Sequence, residues 1–335
     1  MKEKLISFLK YLFFLSIGVL LLYFVLKGQD LKKMLQDIKS ADFKYLLASM
    51  FFGYLAYVFR GLRWLILLKS MNYKTTVSLA THSIAAGYFA NAIFPRAGEI
   101  VRCTSLFKVT GIPVNKLFGT ILLERAIDLI MLTLCLGLSL ILKFEALSSF
   151  IKNSLADISN NENSYGTLIF CLTIILLATI YLFFKKRFEQ SSAIKKVSSL
   201  WQGVKEGFQT AFHMEKKGLF VTYTLLIWFM YLFMTYICFF SFADTLKLRL
   251  VDGLYITVVG GLGMIVPVQG GLGPYHAAVT LGAVSIGLSE ITGVTLAVLI
   301  HSTQSIMILI TGIIATFVLS FAKRNLEADE TAKTS

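Results

Sequence analysis

The sequence predicts an all-α fold, namely a polytopic bundle of membrane helices in which two helical hairpins are broken by proline and glycine. The chain of 335 residues is 56% hydrophobic and only 15% charged, whereas soluble domains carry about 25% charged residues. Long apolar runs recur along the chain, and about 20 apolar residues are enough for a helix to span a bilayer. These observations place the sequence among integral membrane proteins.

Composition also excludes several classes of function. The net charge of +13 does not indicate a nucleic-acid partner, because the basic residues concentrate in loops that flank apolar runs. The four cysteines show no CxxC pair and lie mostly in apolar segments, which predicts small core residues rather than disulfides or a metal site. The sequence contains no HExxH, GxSxG, P-loop or GxGxxG motif. We therefore expect no catalytic residues, no cofactor and no metal ion.

Six apolar runs predict spanning helices. The first run is too long for a signal-peptide core and lacks a small-residue cleavage site, so we interpret it as a retained helix. A short charged amphipathic segment follows it and is placed at the membrane interface. The predicted spans are residues 5–26, 45–69, 116–143, 166–184, 219–243 and 292–321.

Loop charge orients these spans. The loop 185–218 holds eight basic and three acidic residues and is therefore expected in the cytoplasm. The acidic, asparagine-rich loop near 144–165 is expected on the opposite side. Six crossings with both termini in the cytoplasm satisfy these assignments. The lysine-rich segment 27–44 conflicts with them, and the alternative places the N-terminus outside and makes 77–94 a full crossing.

Two further apolar stretches are each interrupted by a Pro-x-x-Gly sequence. Proline removes a backbone donor and glycine permits a turn, so each stretch predicts two half-helices around unwound backbone. Such backbone is tolerated at membrane depth only within protein or beside a cavity. The two units have opposite orientations, which predicts an inverted repeat around a transporter binding site, although proline and glycine are also common in membrane helices. The stretches are 77–111, broken at Pro95 and Gly98, and 252–289, broken at Pro267, Gly270, Gly271 and Gly273.

Charged residues inside the apolar runs are candidates for a polar site, because ionisable groups at membrane depth are costly unless they face protein or a wet cavity. Arg60 and Arg63 lie three residues apart and share a helical face. Their planar guanidinium groups are suited to phosphate. The alternative is that they extend to the lipid headgroups, with Trp64 in the aromatic belt.

Arg96, Glu99 and Arg102 follow Pro95 at intervals of three residues. If a half-helix starts at Pro95, all three lie on its opening turns, where free N–H groups and the helix dipole favour an anion. Glu99 would then hold the arginines in place when no ligand is bound. The alternative is a self-contained ion-pair cluster at the surface.

Glu124, Arg125 and Asp128 lie in the first half of span 116–143. The two carboxylates are four residues apart and share a face, whereas Arg125 turns aside. Pointing inward, they would form either a structural ion pair or part of a transport or proton-coupling site. Their expected partners are Arg60, Arg63 and Arg102.

Gln269 and His276 flank the second break. Histidine titrates near neutral pH, yet a single histidine in an apolar context is more often a hydrogen-bonded structural residue, so both roles stay open. His301 has no convincing partner in the sequence.

Four motifs resemble the lysylphosphatidylglycerol synthase transmembrane, or flippase-like, family, which forms the membrane portion of multiple peptide resistance factor. The motifs occur in family order over nearly the whole chain, and one of them includes Asn91. They are FRGLRWLILL, NAIFPRAGEIVR, LLERAIDL and VPVQGGLG. Family members often place a glutamate shortly after the GGxG turn, where this chain has Pro274, Tyr275 and His276. His276 is the candidate to substitute for that glutamate.

The resemblance implies a multi-pass protein of a bacterial-type inner membrane, with one domain over residues 1–324 and a polar tail over 325–335. In full-length relatives this domain is linked to translocation of aminoacylated phospholipid, while a soluble domain transfers the aminoacyl group. That soluble domain is not in this sequence, so we expect no enzyme activity. We expect instead a transporter that binds or moves a phospholipid or polyprenyl-phosphate lipid in a cationic groove. The alternative is a non-catalytic partner that docks a lipid- or glycan-modifying enzyme through the basic loop 185–218.

Overall fold

The structure is a computed structural model that describes residues 2–146, 148–149 and 214–334. Its regular structure within these ranges is helical, without a strand, which confirms the predicted all-α class. The helices are α1 (Lys2–Leu26), α2 (Leu31–Ser40), α3 (Phe43–Ser70), α4 (Val77–Ile93), α5 (Gly98–Thr110), α6 (Val114–Leu142), α7 (Lys217–Cys238), α8 (Leu250–Gly263), α9 (Pro274–Ser285) and α10 (Glu290–Thr334).

Four helices of the described part are long and apolar enough to cross a membrane, and they coincide with four predicted spans. They are α3, α6, α7 with the turn that follows it, and the first 34 residues of α10. The first predicted span is helical as α1, whose described apolar part is shorter. The predicted span 166–184 and most of the loops 144–165 and 185–218 lie outside the described residues.

The first interrupted stretch contains two helices, as predicted. Helix α4 ends at Ile93 and α5 begins at Gly98. Arg96 lies between them with a φ of 60°, which is a left-handed conformation that cannot continue a right-handed helix. The helix break is therefore confirmed, whereas its re-entrant geometry stays a prediction.

The second interrupted stretch also contains two helices. Helix α8 ends at Gly263, and α9 begins after a connection of ten residues, with Pro274 as its first residue. The connection contains Gly270, Gly271 and Gly273, all with positive φ. Glycine adopts this conformation without a Cβ clash, so the second break is confirmed as well.

The helices pack as two units with the same internal order. Helices α3 to α6 contact one another in sequence, and so do α7 to α10. Between the units, α3 packs on α7, α4 packs on α10, and α6 packs on α8. If α3–α6 corresponds to α7–α10, the α4–α10 and α6–α8 contacts are equivalent. This pattern supports two related halves, and their inverted relation stays a prediction.

Two apolar clusters pack the helices, one formed mostly by α3–α6 and the other mostly by α7–α10. The first surrounds Trp64 and Leu106, and the second surrounds Phe239 and Ile256. Burial of such side chains contributes about 1.5–3 kcal/mol each. The first core carries the charged side chains of the candidate site.

Candidate functional site

Five side chains form a row of alternating charge between α3, α5 and α6, which we call the charge ladder. Arg60 pairs with Asp128, and the same carboxylate lies 2.9 Å from Nη1 of Arg63. Nη2 of Arg63 lies 4.0 Å from Glu124. Glu124 accepts two hydrogen bonds from Arg102, at 2.7 and 3.3 Å. The order along the ladder is Arg60, Asp128, Arg63, Glu124 and Arg102.

Helical spacing produces the ladder. Arg60 and Arg63 lie on one face of α3, and Glu124 and Asp128 lie on one face of α6. The side chains of Arg63 and Glu124 have no exposed surface. The predicted pairing of the inward carboxylates with these arginines is therefore confirmed. The alternative that Arg60 and Arg63 extend to lipid headgroups is wrong, because both are buried in the protein.

The charges of the ladder do not balance. It contains three guanidinium groups and two carboxylates, so with every group ionised it holds one excess positive charge. Burying an unbalanced charge is costly, because the protein interior solvates it poorly. An anion placed next to the ladder would reduce this cost.

The Arg102 end of the ladder lies at the first helix break. The guanidinium carbon of Arg102 is 3.8 Å from the centre of the Trp64 ring, a cation–π contact. The Trp64 indole donates a hydrogen bond to Thr120 over 2.8 Å. A cavity of about 20 Å³ lies beside Arg102 and Gly98, which is enough for about one water molecule. This end is packed too tightly for a lipid headgroup.

The Arg60 end faces a much larger space, which we call the central cavity. Its volume is about 480 Å³, within the usual range for ligand pockets. Nη1 of Arg60 donates hydrogen bonds to the hydroxyl groups of Tyr88 and Tyr231, over 2.7 and 2.8 Å. Arg125 and Asp128 line the same wall, and most of the remaining lining is apolar or aromatic. A charged headgroup and an apolar chain would both find complementary surface here.

Asn91 stabilises the backbone of the first break. Its side-chain oxygen accepts a hydrogen bond of 2.7 Å from the Gly98 amide. The first amides of a helix have no partner within the helix, so Asn91 satisfies one of them. A contact between Asn91 and a ligand remains a prediction.

The predicted anion site on the opening turns of the half-helix is not observed. The premise of a helix starting at Pro95 is wrong, because α5 begins at Gly98 and leaves Arg96 exposed in the preceding turn. Arg102 instead points into the core against Glu124. Glu99 pairs with Arg125 at 3.6 Å, with both side chains partly exposed. Arg96 and Arg102 therefore do not converge, and Glu99 does not hold them.

The second break is supported by two buried histidines. His301 Nε2 lies 2.8 Å from the Gly270 carbonyl, so the expectation that His301 lacks a partner is wrong. The Gly273 amide donates to His276 Nδ1 over 3.4 Å, and the two imidazole rings are 4.6 Å apart. Gln269 is also buried. Within the described residues, no group of three or more His, Cys, Asp or Glu side chains is placed to hold a metal.

Sequence reasoning missed the aromatic residues of the central cavity. Tyr88, Trp228 and Tyr231 all line it. Each sits in a strongly apolar run, where aromatic residues are ordinary core residues. The available signal was the tyrosine hydroxyl, which needs a hydrogen-bond partner when buried.

Comparison with known proteins gives one match. A family model described as the lysylphosphatidylglycerol synthase TM region matches residues 8–312. The chain belongs to this family. The resemblance inferred from the four motifs is thereby confirmed, and the protein is a membrane protein of a family linked to lipid handling. No curated protein and no solved structure matches the chain.

Proposed function

We propose that this member of the family transports a lipid with a phosphate-bearing headgroup. The headgroup enters the central cavity at the Arg60 end of the charge ladder, while the acyl chains extend along the apolar lining of the cavity into the bilayer. The excess positive charge of the ladder is the observation that carries this proposal. A phosphate supplies the missing negative charge.

The shape of the cavity supports a lipid over a small soluble anion. Its lining is largely apolar beyond the wall formed by Arg60, Arg125 and Asp128. Desolvating a free anion against apolar surface is unfavourable. A lipid places apolar groups against this surface and a charged group against the ladder. The alternative of an enzyme-docking partner relies on the loop 185–218, most of which lies outside the described residues, and stays a prediction.

Arg60→Gln is the informative variant. It removes the excess charge and leaves Arg63 and Arg102 balanced by Asp128 and Glu124, so no ladder charge is stranded. Arg249→Gln is the matched control, because Arg249 is an exposed residue preceding α8. Both variants lose one guanidinium group.

The test measures headgroup accessibility of a labelled phospholipid in proteoliposomes. We expect the wild-type protein and Arg249→Gln to expose inner-leaflet headgroups to an external reagent. Arg60→Gln is expected to slow this by roughly tenfold or more, because it removes the excess positive charge that attracts the headgroup, and about 1.4 kcal/mol of lost attraction is already tenfold. Accessibility no greater than in protein-free liposomes would contradict the proposal, as would equal rates for Arg60→Gln and the control.

A further inference from the structure

Arg60 places two phenol hydroxyls beside each other in the central cavity. Its Nη1 donates to both Tyr88 and Tyr231, whose oxygens are 3.4 Å apart. Each oxygen accepts from Arg60, so each O–H hydrogen points away from the guanidinium group. A bond between the two phenols uses only one of the two hydrogens. At least one hydroxyl is therefore free to donate to a ligand.

Trp228 also lines the central cavity and carries a second hydrogen-bond donor. Its ring centre lies 6.1 Å from that of Tyr231, and both residues line the cavity. The indole Nε1 is buried and has no hydrogen-bond partner within the described ranges. Indole nitrogen only donates, and a buried unpaired donor is unfavourable. An acceptor on a ligand would satisfy it.

The arginines of this wall are already engaged. Nη2 of Arg60 pairs with Asp128, whose side chain is 15% exposed and would repel a phosphate that approached Arg60 closely. Arg125 pairs with Glu99. The hydroxyls and the indole are uncharged donors, and the phenols are polarised by the cation behind them.

We propose that the direct ligands of the lipid phosphate are the Tyr88 and Tyr231 hydroxyls and the Trp228 indole N–H. Arg60 is a positioning residue, which orients both phenols and supplies the field of the excess charge. This inference rests on the proposed function, because it assigns the ligands of the same headgroup.

Three variants test the assignment. Tyr231→Phe and the double variant Tyr88→Phe with Tyr231→Phe remove only hydroxyls, and Trp228→Phe removes the indole donor. Tyr223→Phe is the matched control, since Tyr223 lies on the same helix α7 and packs against Phe59 outside the central cavity. Binding of phosphatidylglycerol and of diacylglycerol with the same acyl chains is measured on the full chain in detergent, together with the melting temperature.

We expect Tyr231→Phe and Trp228→Phe each to weaken phosphatidylglycerol binding by about tenfold, and the double tyrosine variant by more. The affinity of every variant for diacylglycerol, and the affinity of Tyr223→Phe for phosphatidylglycerol, should stay within about twofold of wild type. This is well below the roughly tenfold change expected when one such hydrogen bond is lost. A merely structural role would lower the melting temperature and weaken both lipids alike, which would overturn the assignment.

Two further outcomes separate this inference from the proposed function. If the tyrosine and tryptophan variants bind phosphatidylglycerol like wild type while Arg60→Gln does not, the assignment is wrong and the proposed function stands. If wild-type protein does not prefer phosphatidylglycerol over diacylglycerol, the proposed function fails, and the assignment fails with it.

Discussion

Both helix breaks contain left-handed backbone, and they differ in the groups that stabilise it. At the first, Asn91 bonds the Gly98 amide, and α5 carries Arg102 into the charge ladder. At the second, His276 and His301 bond backbone groups of the glycine turn. The first break is therefore coupled to buried charge and the second to uncharged hydrogen-bond partners. Related packing of the two halves does not make them equivalent, because the charge ladder belongs to the first half.

The glycines of the two breaks also differ in what they are needed for. A Cβ at Gly98 would collide with the Gly87 carbonyl and the Asn91 side chain. A Cβ at Gly270 would meet only the Ala92 Cα, at 3.8 Å, but Gly270 has a φ of 57°. The first glycine is required for close packing, and the second is required for its conformation.

The largest expected effect is at the centre of the charge ladder. Glu124→Gln leaves Arg63 with Asp128 alone and Arg102 without its carboxylate. Breaking a buried ion pair in this way costs about 3–5 kcal/mol, measured as the free energy of unfolding in mixed detergent micelles. Glu99→Gln, at the partly exposed pair, should cost less than about 1 kcal/mol. Similar losses of unfolding free energy for the two variants would contradict the claim that burial makes the ion pairs of the ladder more important for stability than the partly exposed pair.

Gly98→Ala should have the next largest effect. The added methyl group meets backbone and a fixed side chain, and overpacking of this kind costs about 1–3 kcal/mol. Gly137→Ala is the control, because a Cβ there has open space in a helix and alanine favours helix by about 1 kcal/mol. The free energy of unfolding should fall in the first variant and rise or stay constant in the second. An unchanged Gly98→Ala protein would argue against the close α4–α5 approach.

Gly270→Ala should have a smaller effect. The left-handed conformation costs about 1–2 kcal/mol for a residue with a Cβ, while the space around Gly270 accommodates the methyl group. Gly270→Asn should recover part of the loss, since asparagine tolerates this conformation better. The corresponding Gly98→Asn should be worse than Gly98→Ala, because a larger side chain increases the collision. If the Ala and Asn variants had the reverse order of stability at either site, the two glycines would not differ in the way proposed, with Gly98 required for close packing and Gly270 for its conformation.

The sequence predicts much of this architecture because its signals are local. Apolar runs identify spans, Pro-x-x-Gly identifies the breaks, and the four-residue spacing of Glu124 and Asp128 places both carboxylates on one face. The start of α5 is missed because the left-handed Arg96 ends the turn after Pro95. The spacing of apolar and charged residues in the sequence does not predict a left-handed residue. The bond from Arg60 to Tyr231 joins residues 171 positions apart. Such contacts follow from packing of the two halves rather than from spacing.

The most direct measurement of the central claim is the ratio of affinities for phosphatidylglycerol and diacylglycerol across a charge series. Arg60→Gln balances the ladder, whereas Arg60→Gln with Asp128→Asn leaves Arg63 and Arg102 against Glu124 and restores one excess positive charge. We expect the preference for the phosphate lipid to fall by about tenfold or more in the single variant and to recover in part in the double variant. A preference that is unchanged in Arg60→Gln, or that falls further in the double variant, would contradict the claim that the excess charge of the ladder selects the headgroup.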